Sequence, residues 1–96
     1  MIKVVVAGAL GKMGQESCKA VLNAEGMELV GAMDCKEFHG SIGSFLGKPE
    51  VNIQISNNIE QVLLELKPDV LIDFTRPGVV QENIELALTH GVRPVI

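Results

Sequence analysis

Three glycines spaced three residues apart form the segment of this sequence best suited to binding chemistry. Gly8, Gly11 and Gly14 follow directly on the apolar residues 4–7. A strand that turns at once into a helix needs a residue without a Cβ, and a phosphate can approach the backbone closely only where side chains are missing. Free amides and partial positive charge at the start of that helix would attract the anion. The segment therefore predicts a phosphate cradle, and a tight turn without ligand is the alternative.

A second candidate ligand-binding residue is Asp34, which follows the apolar segment 29–33 and stands 20 residues past Gly14. A carboxylate at the end of a second strand can accept two hydrogen bonds from the vicinal hydroxyls of an adenosine ribose. The glycine spacing is one residue longer than the commonest dinucleotide motif, so the motif match is partial. Strand, glycine turn, helix and acid together predict a dinucleotide site; a solvated loop carboxylate is the alternative for Asp34.

Hydrophobic periodicity predicts alternating strands and helices around these residues. Strands are expected from residue 4, over residues 29–33, 51–55 and 69–74, and from residue 93; helices are expected over residues 14–24, 58–66 and 79–90. Residues expected on the apolar helix faces are Met13, Cys18 (or Val21) and Leu22; Ile59, Val62, Leu63 and Leu66; and Val80, Ile84, Leu86 (or Ala87) and Leu88. Asn57 or Ser56 should cap the second helix, Pro68 should end it, and Gly91 should close the third.

This order of elements predicts an α/β fold of Rossmann type, a doubly wound parallel sheet with right-handed crossovers. Residues 35–50 contain Gly40, Gly43, Gly47 and Pro49, which indicate a loop with about one helical turn. The sheet is expected to be truncated after its fifth strand, so the front portion of a longer enzyme is favoured over a complete small module.

Composition narrows the class of protein and partner. The 96 residues allow one modest core, and 47% hydrophobic content argues against disorder. Eight basic and 12 acidic side chains give a net charge of −4 without a basic stripe, and the only aromatics are three phenylalanines. Nucleic acid is therefore not expected as a partner.

Cellular location and metal binding can also be predicted from the sequence. No apolar run approaches the ~20 residues that span a bilayer, and no secretory leader precedes the first strand. A cytoplasmic location without a membrane partner is therefore expected. Cys18 and Cys35 lack metal-ligand spacing, so we expect reduced thiols and no metal site.

Three segments together resemble one enzyme family. Residues 6–14 (VAGALGKMG), 29–34 (LVGAMD) and 69–77 (DVLIDFTRP) are similar to the N-terminal portion of the 4-hydroxy-tetrahydrodipicolinate reductases, and the similarity runs the whole length of the chain. The resemblance implies an oxidoreductase of lysine and diaminopimelate biosynthesis, with hydride transfer from NADH or NADPH to a cyclic dicarboxylate. Residues 1–96 would be its dinucleotide-binding domain. A C-terminal substrate and tetramerisation domain, with the catalytic residues of a homotetramer, would lie outside this chain.

The resemblance also implies roles for individual residues. The segment from Gly8 to Met13 would wrap the pyrophosphate, Asp34 would hold the adenosine ribose, and the Phe74–Arg76 turn would lie along the nicotinamide half. Cys35 stands where many members have Arg, with Lys36 one residue further on, so NADH or NADPH preference stays open. The expected cofactor-binding residues are Gly8, Ala9, Leu10, Gly11, Lys12, Met13, Gly14, Asp34, Lys36, Phe74, Thr75 and Arg76.

Several of these residues and their neighbours have a simpler structural interpretation. Lys12 would offer charge to phosphate or be merely solvated, and Arg76 would contact ligand or brace its loop. Asp73 is expected to accept hydrogen bonds from loop amides rather than act as a catalytic carboxylate. His39 and His90 do not match the catalytic positions of the family. For the whole chain, a non-catalytic nucleotide-sensing Rossmann module is the alternative function.

Overall fold

The computed structural model describes residues 1–35 and 40–96. Within them, strands and helices alternate along the chain, and the element order predicted from the sequence is confirmed. The elements are β1 (Ile2–Ala7), α1 (Lys12–Asn23), β2 (Met27–Met33), α2 (Ile42–Phe45), β3 (Ile55–Ser56), α3 (Ile59–Leu66), β4 (Val70–Asp73), α4 (Pro77–Thr89) and β5 (Arg93–Val95). Among these residues, no helix has the length and apolar character needed to cross a membrane.

The five strands form one sheet in the order β3-β2-β1-β4-β5, and every neighbouring pair is parallel. Strand β1 is central: Ala7 at its end pairs with Met33 of β2 and with Asp73 of β4. The carboxyl ends of three strands therefore meet at one edge, where open α/β sheets bind their ligands. The predicted Rossmann-type fold is confirmed.

Both faces of β1 are covered, which explains its uninterrupted run of apolar residues. Val4 and Val6 pack with Cys18 and Val21 of α1 on one face. Val5 and Ala7 belong to the cluster on the other face, which includes Leu63 of α3 and Ala87 of α4. Successive side chains of a strand point to opposite faces, so the run supplies both layers of the core.

Helix α1 begins at Lys12, two residues earlier than predicted, and its buried face differs from the predicted stripe. Met13 is 60% exposed, so its predicted place on the apolar face is wrong. Gly14 is buried instead. Only glycine fits this position, because a Cβ would overlap the carbonyl oxygen of Gly8. Cys18 and Val21, which the sequence offered as alternatives for the buried face, are both buried.

Helix α4 also begins two residues early, at Pro77, where a proline suits the first helical position. Leu88 is 62% exposed, so its predicted inward position is wrong, whereas Asn83 is buried. The helix ends at Thr89, and Gly91 follows its cap residue His90 with a φ of 72°. The prediction that Gly91 closes this helix is confirmed.

The strand predicted over residues 51–55 is wrong in extent, since only Ile55 and Ser56 join β2. The Ser41 hydroxyl takes the place of a strand partner: it donates to the Val51 carbonyl at 2.6 Å and accepts from the Ile53 amide at 3.0 Å. This side chain satisfies backbone groups that a sheet ladder would otherwise use. Helix α2 is the single turn expected within this loop.

The N-cap of α3 is Asn58, whose side-chain oxygen accepts from the Gln61 amide at 3.1 Å, so the prediction of Asn57 or Ser56 is wrong. The Ser56 hydroxyl accepts a hydrogen bond from the Asn58 amide, just before the helix begins. At the other end, Lys67 adopts a left-handed conformation with φ of 46° directly before Pro68. The helix therefore ends where the proline predicted.

Candidate functional site

A cavity of about 580 Å³ opens at the carboxyl ends of β1, β2 and β4. Its position is the one at which parallel α/β sheets bind ligands. Six of the predicted site residues line it: Gly8, Gly11, Asp34, Phe74, Thr75 and Arg76. The sheet therefore brings together residues that are more than 60 positions apart in the sequence.

The glycine turn crosses the end of β1 and is fixed by backbone hydrogen bonds. The amides of Gly8 and Ala9 both donate to the Met33 carbonyl at 2.9 Å, and the Gly11 amide donates to the Gly8 carbonyl at 3.2 Å. Gly8 has a φ of 77°, a conformation that favours glycine. Its Cβ would also lie 3.1 Å from the Phe74 backbone, so this glycine lets the β1 and β4 turns approach each other.

Gly11 differs from the other two glycines because the fold leaves space beside it. A Cβ at Gly11 would meet only the Gly8 carbonyl oxygen, at an ordinary distance of 3.4 Å, and its φ of −74° suits any residue. The absence of a side chain at Gly11 therefore leaves space in the cavity and is not required for packing of the core.

The start of α1 offers backbone donors towards this turn. Its N-cap Gly11 has no side chain to cap the helix, and among the described residues no acceptor reaches the amides of Lys12 and Met13. Both side chains are exposed. Unsatisfied amides and the positive end of the helix dipole form an anion-binding arrangement.

Ala9 and Leu10 contribute backbone rather than side chains to the turn, because both side chains are buried in the core. Asp34 is also largely buried, with 9% exposure, and its Oδ2 accepts from the Leu10 amide at 2.9 Å. The Asp34 amide donates to the Ser56 carbonyl at 3.0 Å. The carboxylate thus braces the glycine turn against the end of β2, a structural role that sequence reasoning missed.

A buried polar network fixes the turn after β4. Asp73 is 1% exposed; its Oδ1 accepts from the amide and the hydroxyl of Thr75, and its Oδ2 accepts from Asn83 Nδ2 at 2.9 Å. The predicted role of Asp73 as an acceptor for loop groups is confirmed. Asn83 was missed, although it lies between Val80 and Ala87 on the helix face expected to turn inward.

The remaining predicted residues lie at the margins of the site or outside the described part. Arg76 is exposed and forms the N-cap of α4 without a side-chain capping bond. Lys36 and His39 lie outside the described residues. His90 is not among the cavity-lining residues; its Nε2 lies 3.7 Å from Glu60 Oε2. Lining residues that the sequence analysis did not predict at the site include Asn57, Ile59, Val79 and Glu82.

The two cysteines have different surroundings. Cys35 is exposed and lines the cavity beside Asp34. Cys18 is fully buried against β1, and desolvation raises the pKa of its thiol from the ordinary value of 9.0 to about 11. Burial disfavours the thiolate, so Cys18 is a packing residue rather than a nucleophile.

Comparison with known proteins identifies the family. The family model described as dihydrodipicolinate reductase, N-terminus, matches residues 2–96. The 4-hydroxy-tetrahydrodipicolinate reductase of Syntrophomonas wolfei is 43% identical over 98% of this chain. The chain spans only 35% of that relative, about a third of its length.

Solved structures agree with the family match. A dipicolinate-bound dihydrodipicolinate reductase from Paenisporosarcina sp. TG-14 is 40% identical, with a TM-score of 0.79 over all of this chain and 37% of its own. An amine dehydrogenase from Mycobacterium smegmatis reaches a TM-score of 0.82 over 97% of this chain and 28% of its own at 23% identity, which shows the fold alone. By the family model and by identity over its whole length, the chain belongs to the dihydrodipicolinate reductase family.

Proposed function

We propose that this chain is the NAD(P)H-binding domain of a reductase that converts 4-hydroxy-tetrahydrodipicolinate to tetrahydrodipicolinate in lysine and diaminopimelate biosynthesis. The observation that carries this proposal is the uncapped start of α1 beside the open space at Gly11, at the carboxyl ends of β1, β2 and β4. These features match what a pyrophosphate requires: backbone donors, positive potential and no obstructing side chain.

The size and the chemistry of the cavity support this proposal. Its volume of about 580 Å³ lies within the usual range for small-molecule sites, roughly 300–1,000 Å³. It combines apolar walls such as Ile59 and Val79 with polar groups such as Asp34 and Thr75. When bound, the nicotinamide would supply the hydride, while the protein binds, orients and shields the reactants.

Each part of the site has a proposed partner on the dinucleotide. The amides of Lys12 and Met13 would donate to the pyrophosphate, with the Lys12 ammonium adding charge nearby. The Asp34 carboxylate would accept from the adenosine ribose while keeping its bond to Leu10. The turn containing Thr75 would lie along the nicotinamide half. Lys36 stays a proposed point charge for a 2′-phosphate, and both NADH and NADPH are proposed cofactors.

The activity of the whole protein is part of the proposal, because the chain spans about a third of the curated relatives it matches. We place the dinucleotide-binding domain at residues 1–96, with substrate binding, the catalytic acid and homotetramer contacts in a further domain. A cytoplasmic location is proposed from the biosynthetic role. Membership of the reductase family favours this function over a nucleotide-sensing module, which would share the fold alone.

Substitution of Gly11 tests the phosphate cradle. Gly11→Val places a branched side chain in the open space of the turn, so NADH affinity should fall at least tenfold, as expected for about 1.5 kcal/mol or more of lost charged hydrogen bonds. Isothermal titration calorimetry measures the dissociation constant, and circular dichroism checks the fold.

Gly78→Val is the matched control. Gly78 has no atom within 4 Å of an added Cβ and does not line the cavity, so this change should leave NADH affinity within about twofold. A folded Gly11→Val chain that binds NADH as tightly as the unmodified chain would contradict the cradle and the proposed function.

A further inference from the structure

The polar network of Asp73, Thr75 and Asn83 lies between the core and the cavity. Asp73 and Asn83 are 1% and 5% exposed, and both Thr75 and Asn83 line the cavity. The Asp73 side chain accepts three hydrogen bonds: from the Thr75 amide at 2.8 Å, from the Thr75 hydroxyl, and from Asn83 Nδ2 at 2.9 Å. The network therefore joins the end of β4 to a helical turn ten residues further along the chain.

The direction of these bonds determines what Thr75 can offer to a ligand. A hydroxyl group has a single proton, and the Thr75 hydroxyl donates it to Asp73 Oδ1. The Thr75 Oγ1 also accepts a longer hydrogen bond from Asn83 Nδ2, at 3.5 Å. With its proton engaged, the Thr75 oxygen can act towards the cavity only as an acceptor.

Asn83 determines this direction through Asp73. Its amide nitrogen has hydrogens to donate and no lone pair to accept, so it faces the acceptor oxygens of Asp73 and Thr75. Holding Asp73 Oδ2 fixes the rotation of the carboxyl group and leaves Oδ1 directed at Thr75. An unpartnered buried carboxylate would be costly, so the three donors stabilise one arrangement.

We propose that Asn83 is a positioning residue, which through Asp73 presents the Thr75 hydroxyl oxygen as a hydrogen-bond acceptor for a donor on the nicotinamide half of the dinucleotide. The inference rests on the proposed function. The donor is the nicotinamide carboxamide or a hydroxyl of the neighbouring ribose, since both groups carry N–H or O–H hydrogens. The adenosine and pyrophosphate contacts do not depend on this network.

Reciprocal substitution tests the direction of the hydrogen bonds. Asn83→Asp alone removes the donor that holds Asp73 Oδ2 and places two carboxyl groups together, which disturbs the orientation of Thr75. Asp73→Asn alone lets the Asn83 amide turn over and accept from the amide nitrogen at residue 73, so Thr75 keeps its acceptor. The double variant Asp73→Asn/Asn83→Asp restores one donor and one acceptor with their positions exchanged, and the amide oxygen at residue 73 still accepts from Thr75. Gln81→Glu adds the same negative charge as Asn83→Asp, but on the exposed side of α4, and serves as the matched control.

Calorimetric dissociation constants for ADP, ADP-ribose and NADH separate the two halves of the ligand. In the unmodified chain NADH should bind about fivefold more tightly than ADP, as one added hydrogen bond predicts. Asn83→Asp should abolish this preference while ADP affinity stays within about twofold, and Asp73→Asn, the double variant and the control should retain it. If the donor is the carboxamide, ADP-ribose binds like ADP; if it is the ribose hydroxyl, ADP-ribose binds like NADH.

If Asn83→Asp does not fold, Thr75→Val, which removes only the hydroxyl, must abolish the NADH preference with ADP binding intact. Equal loss of ADP and NADH affinity in a folded variant, no recovery in the double variant, or no preference for NADH in the unmodified chain would overturn the positioning role. Failure of the unmodified chain to bind ADP would instead contradict the proposed function.

Discussion

Asp34 combines a structural bond with a proposed ligand contact. Its Oδ2 accepts from the Leu10 amide at 2.9 Å, which ties the glycine turn to the end of β2. The sequence placed this carboxylate correctly at the site because an acid at the end of a second strand has a definite chemical use. It could not show the bond to Leu10, because that bond depends on the three-dimensional path of the turn.

Removal of the Asp34 side chain tests its ribose contact. Asp34→Ala is expected to weaken NADH binding by roughly 1.5–3 kcal/mol, the range for hydrogen bonds to a charged group. NADPH should lose less, because its 2′-phosphate adds negative charge beside the carboxylate and the substitution also removes a repulsion. The measurement is the ratio of the two dissociation constants at one stated salt concentration.

Asp34→Asn is the control for the structural bond, because an amide oxygen can still accept from Leu10 while the charge is removed. If this variant changes the ratio as Asp34→Ala does, the charge rather than the bond to Leu10 is responsible. An equal loss of NADH and NADPH affinity in Asp34→Ala, with little loss of either in Asp34→Asn, would mean that Asp34 only braces the turn.

Burial of the Cys18 thiol makes stability depend on alkaline pH. Its pKa is about 11 in the folded chain, against an ordinary value of 9.0 when unfolded. Between these values the unfolded chain loses a proton that the folded chain keeps, so the free energy of unfolding should fall by up to about 1.4 kcal/mol per pH unit. Below pH 9 this contribution to stability is fully present, and it is lost as the pH rises towards 11.

Urea unfolding followed by circular dichroism from pH 8.5 to 11 would measure this slope. Cys18→Ala should reduce the slope, whereas Cys35→Ala, which removes an exposed thiol, should leave it unchanged. The same pH slope in the Cys18→Ala chain would show that other groups cause it.

At the scale of elements, the glycine turn assigns different tasks to its glycines. Gly14 allows α1 to pack against the turn, since a Cβ there would overlap the Gly8 carbonyl oxygen, whereas Gly11 leaves the cavity open. Gly14→Ala should therefore lower the free energy of unfolding by about 3 kcal/mol, because rigid backbone atoms must move. Urea unfolding checks this value.

Gly78→Ala supplies the comparison for a helical glycine without close neighbours. Alanine has the higher helix propensity, so this variant should be as stable as the unmodified chain or more stable by up to about 1 kcal/mol. The tight packing at Gly14 would be refuted if Gly14→Ala were equally stable.

The elements differ in how far the sequence could predict them. Strands β1 and β4 are buried on both faces, so continuous apolar runs identify them. The alternation at residues 51–55 predicted a strand wrongly, because the Ser41 hydroxyl, ten residues away, binds the Val51 carbonyl. Both α1 and α4 began earlier than their apolar periodicity indicated, since first-turn residues such as Met13 need not be buried. Asn83 was missed because its partners come from another element.

At the scale of the whole molecule, the fold forms a cavity suited to ligand binding, and we assign no catalytic group within it. The cavity-lining residues come from the ends of β1, β2 and β4 and from the start of α3 and α4. In the proposed function they hold the phosphates, a ribose and the nicotinamide ring of the dinucleotide. We propose that the substrate and the catalytic groups belong to the part of the relatives that this chain does not span.

The chain is therefore predicted to bind pyridine dinucleotide without reducing the cyclic substrate. Hydride transfer needs the substrate held against the nicotinamide and a proton donor within hydrogen-bond reach, about 3 Å from the group it protonates. Binding should change a reporter attached to the adenine and alter nicotinamide fluorescence only slightly, because the adenosine and pyrophosphate contacts dominate and the nicotinamide half gains a single proposed hydrogen bond to Thr75. A steady-state assay with NADH and 4-hydroxy-tetrahydrodipicolinate, free of longer reductase, checks the second part. Turnover in that assay would show that these 96 residues already supply the catalytic groups, and the division between binding and catalysis proposed here would then be wrong.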